Sequence, residues 1–279
     1  MTLAPLLEKP SLASSSWQLP FIEAGSLIVT LAADAQELNL AQKLRYRVFV
    51  KEMGAQASSA MHACERDWDE FDEPCDHLLV MDRSREERGK NPVVGTYRLL
   101  RGQVGRAFGK FYTAGEYDIG PLFRLPYELL ELGRSCVHPD YRNRSTMQLL
   151  WRGIGAYVEH HRIGLMFGCA SFPGTDAEAL RGPLSYLHHY HLAPDALRIR
   201  AVAARYVPMD GLPKEAVDRK KNLAQLPPLI KGYLRLGGFV GEGAVLDHAY
   251  NTTDVCILVR TEGIRQSYYD RYRVGDRRA

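Results

Sequence analysis

The stretch "ELGRSCVHPDYRNRSTMQLLWRGI", residues 131–154, reads as the end of a strand, a loop and the first turns of a helix. Such junctions aim backbone N–H groups and the positive end of a helix dipole at an anionic ligand, and glycines usually let the backbone close around it. Here the loop from His138 to Thr146 has no glycine and carries Tyr141, Arg142 and Arg144 instead. The helix after it opens on a capping-box pattern, Ser145 to Gln148, and sets Met147, Leu150, Ile154, Tyr157 and His161 on one face. On either side lie "ELLELGRSCV" (128–137), a strand, and "GLMFGCASF" (164–172), an almost wholly apolar strand suited to a sheet covered on both faces.

Further out, "SLIVTLAA" (26–33) has strand composition and meets a helix at Asp34, along which Leu40, Leu44 and Val48 recur every four residues. "HLLVMD" (77–82) and "VVGTYRLLR" (93–101) are two strands joined by the polar turn region "RSREERGKNP". "FYTAGEYDIGPLFRLP" (111–126) is punctuated by Gly and Pro and reads as a long ordered loop. A helix over 176–190, a strand near 197–207, a Pro-Pro segment at 227 and a last strand "DVCILVRT" (254–261) complete the order. This is one mixed α/β domain, not the alternating pattern of a dinucleotide fold, and no GxGxxG is present. The expected division is a loosely ordered leader over 1–25, the domain over 26–262 and a basic tail over 263–279.

A chain of 279 residues can bury a substantial core, and 46% apolar with 25% charged residues is the balance of an ordinary globular protein. The net charge of +3 does not argue for nucleic acid. Its distribution says more: from Arg260 to Ala279 six arginines face three acids, and Arg205 to Arg235 holds seven Lys/Arg against three acids. Either stretch suits an acidic protein or an anionic membrane surface, and either also reads as a solvated face. Five scattered cysteines without a CxxC pair suggest reduced thiols in a cytoplasmic protein. No apolar run approaches the roughly 18 residues of a membrane span, and the N-terminus lacks the basic region of a signal peptide.

Four clusters carry the chemical interest: Arg45 with Phe49 one helical turn on; Asp67, Asp69 and Asp72 around Trp68 and Phe71; Arg98 inside a strand; and Glu131 with Arg134. Period two puts the last pair on opposite faces of the sheet unless a bulge intervenes at Gly133. Charges in a central strand are costly unless paired or facing a wet cleft, so Arg98 and Glu131 need a role. Each cluster also has a structural reading: Arg45 as a salt-bridge partner, the aspartates as a solvated turn, Arg98 with Glu131 as a buried ion pair. "HHRIG" and "LHHYH" lack a carboxylate or cysteine at ligand spacing and read as helix-surface or packing histidines, with no metal expected. Ser135 and Cys136 sit outside any GxSxG elbow.

Taken in order, "LRYRVFVKE", "DWDEFD", "GTYRLLR" and "ELGRSCV" resemble the acyl-homoserine-lactone synthases, which are GNAT-like acyltransferases. "FDEPCDHLLV", "FYTAGEYDI", "LELGRSCVHPDYR", "GCASFPGTD", "LSYLHHYHLAP", "PPLIKGYLRLGG" and "NTTDV" are more closely similar to the ornithine N-alpha-acyltransferases of bacterial ornithine-lipid synthesis. The resemblance covers roughly residues 40–262. It implies a GNAT-type α/β/α sandwich whose central mixed, mostly antiparallel sheet splays between two parallel strands. It also implies acylation of the α-amine of L-ornithine by a 3-hydroxyacyl group on acyl carrier protein, giving lyso-ornithine lipid. The donor is then the 4'-phosphopantetheine arm of the carrier, with no bound cofactor. That arm has a single phosphodiester, which fits a loop that kept its place and lacks glycines; Arg142 and Arg144 would meet that phosphate or the acidic carrier.

By the same resemblance Arg45, Phe49, Asp69, Asp72, Arg98, Glu131 and Arg134 would form the cleft, with Glu131 as base. An arginine would grip the ornithine carboxylate, Asp69 or Asp72 would pair with its δ-ammonium, and Met147, Leu150, Trp151 and Phe172 would line an acyl groove. The expected setting is the cytoplasm, with peripheral contact on the inner face of the membrane. Three alternatives remain: a homoserine-lactone or other N-acyl amino acid synthase, a coenzyme A-dependent N-acetyltransferase, and a non-catalytic binder of membrane or carrier.

Overall fold

A computed structural model describes Trp17 and residues 19–262. The expected tail at 263–279, and most of the expected leader, lie outside the described residues. Ile22–Ala24 forms β1, an edge strand paired with β2 (Leu27–Leu31), and Trp17 stacks on His160 with ring centroids 4.2 Å apart.

Asp34 caps the next helix through its side chain, which accepts from the N–H of Glu37, and α1 runs Ala35–Arg45. The helix then widens into a π-helical segment, Tyr46–Glu52, which carries Phe49. After α2 (Ser59–Cys64) come β3 (Asp76–Asp82), α3 (Arg83–Glu86) and β4 (Val93–Arg101). The polar turn region expected between the two strands therefore folds partly as a short helix. α4 (Gly102–Phe108) leads into the Gly/Pro-punctuated segment, which contains a 3-10 turn at Thr113–Gly115 and β5 (Tyr117–Asp118).

The deciding stretch follows: β6 (Glu128–Val137), the loop, and α5 (Arg144–His160). The capping-box reading is corrected here. The cap is Asn143, whose side-chain oxygen accepts from the backbone and hydroxyl of Thr146, so the helix begins before Ser145. β7 (Ile163–Pro173) and α6 (Arg181–His191) come next. The strand expected over 197–207 is reduced to two fragments, β8 (Arg200–Ala201) and β9 (Tyr206–Val207), separated by a 3-10 turn. α7 (Arg219–Gln225), α8 (Pro228–Arg235), β10 (Phe239–Val240), β11 (Ala244–Asp247) and β12 (Thr252–Arg260) finish the chain.

The main sheet runs in the order β1-β2-β3-β4-β6-β7-β12-β11-β9, with β10 also on β12. Its one parallel strand pair among the described residues is β6 with β7, and that pairing lasts only from Glu128 to Glu131. Beyond Glu131 the two strands keep their outer neighbours, β4 and β12, and lose each other. Alternation sorts the core onto two faces. One face holds Leu78, Val80, Tyr97, Leu99, Leu130 and Leu132 under α5 and α8. The other carries Leu79, Met81 and Cys136 under α1, and Leu100, Leu129, Phe167 and Cys256 under the 111–126 segment. This is the α/β/α sandwich with a sheet opened between two parallel strands.

Candidate functional site

The opening between β6 and β7 is a cavity of about 910 Å³, within the size range of small-molecule sites. Its walls come from both faces of the sheet. Tyr97, Leu132, Met147, Leu229 and Tyr233 make an apolar end, while Phe49, Arg98, Glu131, Arg134, Asp247 and Asp254 make a polar one. Gly168 sits where the strands part; a Cβ there would come within 2.2 Å of the Leu132 carbonyl oxygen.

A β-bulge in β6 arranges the polar wall. The register passes from Arg98 opposite Gly133 to Thr96 opposite Cys136, which leaves one extra residue on β6, and Arg134 takes φ 48°. The bulge thus falls at Arg134–Ser135, just past the glycine where the sequence allowed it. Its effect is to return Arg134 to the face of Glu131, where both meet Tyr112. Without the bulge, period two would point the two side chains apart.

Glu131 is buried, and its two oxygens accept from the backbone N–H groups of Thr113 at 2.7 Å and Tyr112 at 3.1 Å. Burial raises the proton affinity of its carboxyl, and the hydrogen bonds from Thr113 and Tyr112 offset only part of that rise. Ser135 and Cys136 lie along the same strand; burial holds the Cys136 thiol up at about 12, so it carries no thiolate.

The arginines and aspartates predicted for the cleft do meet, chiefly each other. Arg45 is 1% exposed and donates to Asp67 at 2.7 Å and to both oxygens of Asp72 at 2.7 and 3.0 Å. Arg98 donates to Asp72 at 2.9 Å and to Asp69. Arg134 donates to Asp69 at 2.7 Å and lies between the rings of Tyr112 and Tyr250. Gln42 donates to the second oxygen of Asp72 at 2.8 Å, so every acceptor of that carboxylate is engaged. Arg98 and Arg134 also line the cavity; Arg45 and Asp72 lie behind its wall. Phe49 lines it as well, half-buried and edge-on to Tyr250.

Arg142 and Arg144 stand at the cavity mouth, both exposed. The Arg142 guanidinium forks onto the Glu52 carboxylate, with its second nitrogen at 2.8 Å, and donates to the Val137 carbonyl at 3.1 Å. Met147 lines the apolar end, whereas Leu150, Trp151 and Phe172 pack in or against the core on that face. The histidines serve packing: His189 bonds the Leu212 carbonyl at 2.7 Å, and His161 lies against Tyr157.

Sequence reasoning missed Tyr112, Thr113 and Tyr250, which seat Glu131 and Arg134, and missed the acids Glu116, Asp247 and Asp254. All but Asp254, which opens the last predicted strand, lie in the 111–126 loop or between predicted strands, and nothing in their spacing signals that they converge.

A family described as an acetyltransferase (GNAT) domain matches residues 44–152. An L-ornithine N(alpha)-acyltransferase of Rhodobacter capsulatus is 48% identical over 244 residues, covering 88% of this chain and 93% of its own length. The protein of the same description from Agrobacterium fabrum is 46% identical over 254 residues, covering 90% and 87%. Among solved structures, FeeM, an N-acyl amino acid synthase from uncultured soil microbes, superposes with a TM-score of 0.48 at 8% identity, covering 86% of this chain and 93% of its own.

Proposed function

The chain belongs to the L-ornithine N(alpha)-acyltransferase family, and from that premise we propose how its cavity carries out the reaction. The enzyme transfers an acyl group to the α-amine of L-ornithine. The donor in this reading is a 3-hydroxyacyl thioester on acyl carrier protein. Its pantetheine arm enters between β6 and β7, where the strand edges past Glu131 have no ladder partner, and extends like an added strand. The acyl chain then lies toward Met147, Leu229 and Tyr233, and the acceptor toward Tyr112 and Arg134.

The observation that carries the mechanism is the seat of Glu131. Two backbone donors hold the carboxylate at the point where the sheet opens, and burial makes it avid for a proton. The α-ammonium of ornithine must lose a proton before attack, and Glu131 takes it directly or through one water. The neutral nitrogen attacks the thioester carbonyl, the oxyanion meets backbone N–H groups, and the pantetheine thiolate leaves with a proton. Arg98 and Arg134 together hold the ornithine carboxylate, with Phe49 as an apolar wall beside them. Asp69, Asp72 and Arg45 hold those two arginines in place.

Arg142 and Arg144 at the mouth take the single phosphodiester of the carrier arm, Arg142 exchanging it for Glu52. No helix among the described residues is long and apolar enough to cross a membrane. The product carries a fatty chain, so the enzyme works against the inner leaflet, aided by its basic stretches through a weak, salt-sensitive contact.

The test supplies L-ornithine with matched 3-hydroxyacyl donors on carrier protein and on coenzyme A, and follows lyso-ornithine lipid by mass spectrometry. Turnover is expected with the carrier donor. Glu131→Gln should lower kcat by about 10²–10⁴-fold in a variant that still unfolds cooperatively and keeps its ornithine KM. Wild-type turnover by that variant removes the base assignment. A lactone product from S-adenosylmethionine would favour the homoserine-lactone reading instead.

A further inference from the structure

Three carboxylates that the mechanism above does not use converge at the polar side of the cavity, two of them, Asp247 and Asp254, on its lining. Glu116, Asp247 and Asp254 are 2%, 5% and 5% exposed and offer oxygens within 4.8 Å of one another. They arrive from the turn after Thr113, the end of β11 and the start of β12. One oxygen of Asp247 is engaged, accepting from the backbone N–H groups of Ala249 and Tyr250 at 2.8 and 3.1 Å. Among the described residues the cation that reaches them is Arg205, 3.7 Å from Glu116 and itself 35% exposed. One guanidinium at that distance does not balance three buried carboxylates.

A second observation points to a ligand. Three buried oxygens here have no hydrogen-bond partner among the described residues: Glu116 Oε2, Asp254 Oδ1 and Thr252 Oγ1. Thr252, Asp247 and Asp254 line the same cavity as Glu131. Buried polar groups are rarely left unpaired, and two such carboxylate oxygens with the Thr252 hydroxyl beside Asp254 complement an ammonium, which offers three N–H donors.

We infer that Glu116, Asp247, Asp254 and Thr252 form the subsite for the δ-ammonium of the acceptor amino acid, and so select a basic side chain. This rests on the reading of Glu131 as the group that receives the α-amine proton. The chain path agrees with it: Glu131 is held by the N–H groups of Tyr112 and Thr113, and the 3-10 turn Thr113–Gly115 leads from there to Glu116. Asp69 and Asp72, expected from the resemblance to take the δ-ammonium, instead accept from arginines. Burial, then the charge of Asp254, push Glu116 up to about 7, a rise that a bound ammonium would reverse.

The experiment compares L-ornithine with L-norvaline, the same carbon chain without the δ-amine, using the full chain and a 3-hydroxyacyl-carrier donor. The wild-type enzyme should favour ornithine in kcat/KM by at least about 100-fold, as sites built to bond a polar group reject analogues that lack it. Asp254→Asn and Glu116→Gln should each raise the ornithine KM about 10–100-fold, with kcat and the donor KM little changed and norvaline unaffected. Both variants remove a strained charge, so both should fold at least as stably as the parent. Folded variants with an unchanged ornithine KM, or a wild-type enzyme that accepts norvaline equally, overturn the inference while leaving the acyl-transfer reading intact. Acylation of neither amino acid overturns both. Ornithine turnover that EDTA abolishes and magnesium or calcium restores would assign the carboxylates to a metal ion and overturn it too.

Discussion

Asp72→Asn isolates what the arginine–aspartate network does for the fold. The Asp72 carboxylate accepts two bonds from Arg45 and one each from Arg98 and Gln42, all between 2.7 and 3.0 Å. An asparagine of the same shape keeps one acceptor and turns an amide against donors, leaving Arg45 with Asp67 and Arg98 with Asp69. Removing one partner of a buried ion pair costs about 3–5 kcal/mol, because the remaining charge stays desolvated. Total stabilities run to about 5–15 kcal/mol, so this is a large share. At about 2–4 °C per kcal/mol for chains a little shorter than this one, the melting temperature should fall by roughly 6–20 °C. Urea unfolding of the wild type, Asp72→Asn, Arg45→Met and the double variant gives the coupling, and the double should lose less than the sum of the singles by at least about 1.5 kcal/mol. Burial alone would raise the Asp72 carboxyl, but the guanidinium of Arg45 and then Arg98 reverse this and leave it below the ordinary carboxylate range. The stabilisation is therefore complete at neutral pH and is lost as pH falls through that lowered value, where wild type and variant should converge. A loss under about 1 kcal/mol at pH 7, or an additive cycle, would refute the reasoning.

Two further outcomes follow from the geometry. Gly168→Ala sets a Cβ 2.2 Å from a backbone oxygen that cannot swing aside, whereas Gly232→Ala on α8 meets only the Trp151 ring, at 3.9 Å. The first should cost about 3 kcal/mol or more with loss of turnover, and the second under about 1.5 kcal/mol with turnover retained; equal effects by thermal unfolding and activity would refute the parting of β6 and β7 as the reason. Glu116 keeps its proton up to about 7 when folded and releases it in the ordinary glutamate range when unfolded. Stability should thus be highest below that range and decline by about 3 kcal/mol as pH rises toward 7. Glu116→Gln should flatten this decline in urea titrations, and an unchanged slope would sink the assignment.

The framework of the fold was legible because its signals are local. β3, β4, β6 and β7 are apolar runs bounded by turn residues, and Asp34 caps α1 as its type and position indicate. The parts that escaped depend on distant partners. β8 and β9 are two residues each and exist because β5 and β11 lie opposite them. Asn143 outcompetes Ser145 as cap because a short side chain two residues earlier reaches the N–H of Thr146, and both candidates satisfy the same sequence preference.

The site divides along the same line, with a consequence for how its charges work. Arg98, Glu131 and Arg134 were visible because a charge in a buried strand demands compensation. That argument cannot say whether the compensation is a substrate or another side chain, and for Arg45 and Asp72 it is another side chain. The unsatisfied acids lie instead in "FYTAGEYDI" and "NTTDV" and on β11, where no spacing marks them as a group. Only the sheet order, with β12 between β7 and β11, and the 3-10 turn brought across from the far side, puts them in one place. The network of paired charges fixes the shape of the cleft, and of its arginines only Arg98 and Arg134 also line the cavity and can meet a ligand carboxylate. The carboxylates left unpaired are the ones with free energy still to gain from a cation, so acceptor selectivity should follow Glu116, Asp247 and Asp254, and stability should follow Arg45 and Asp72.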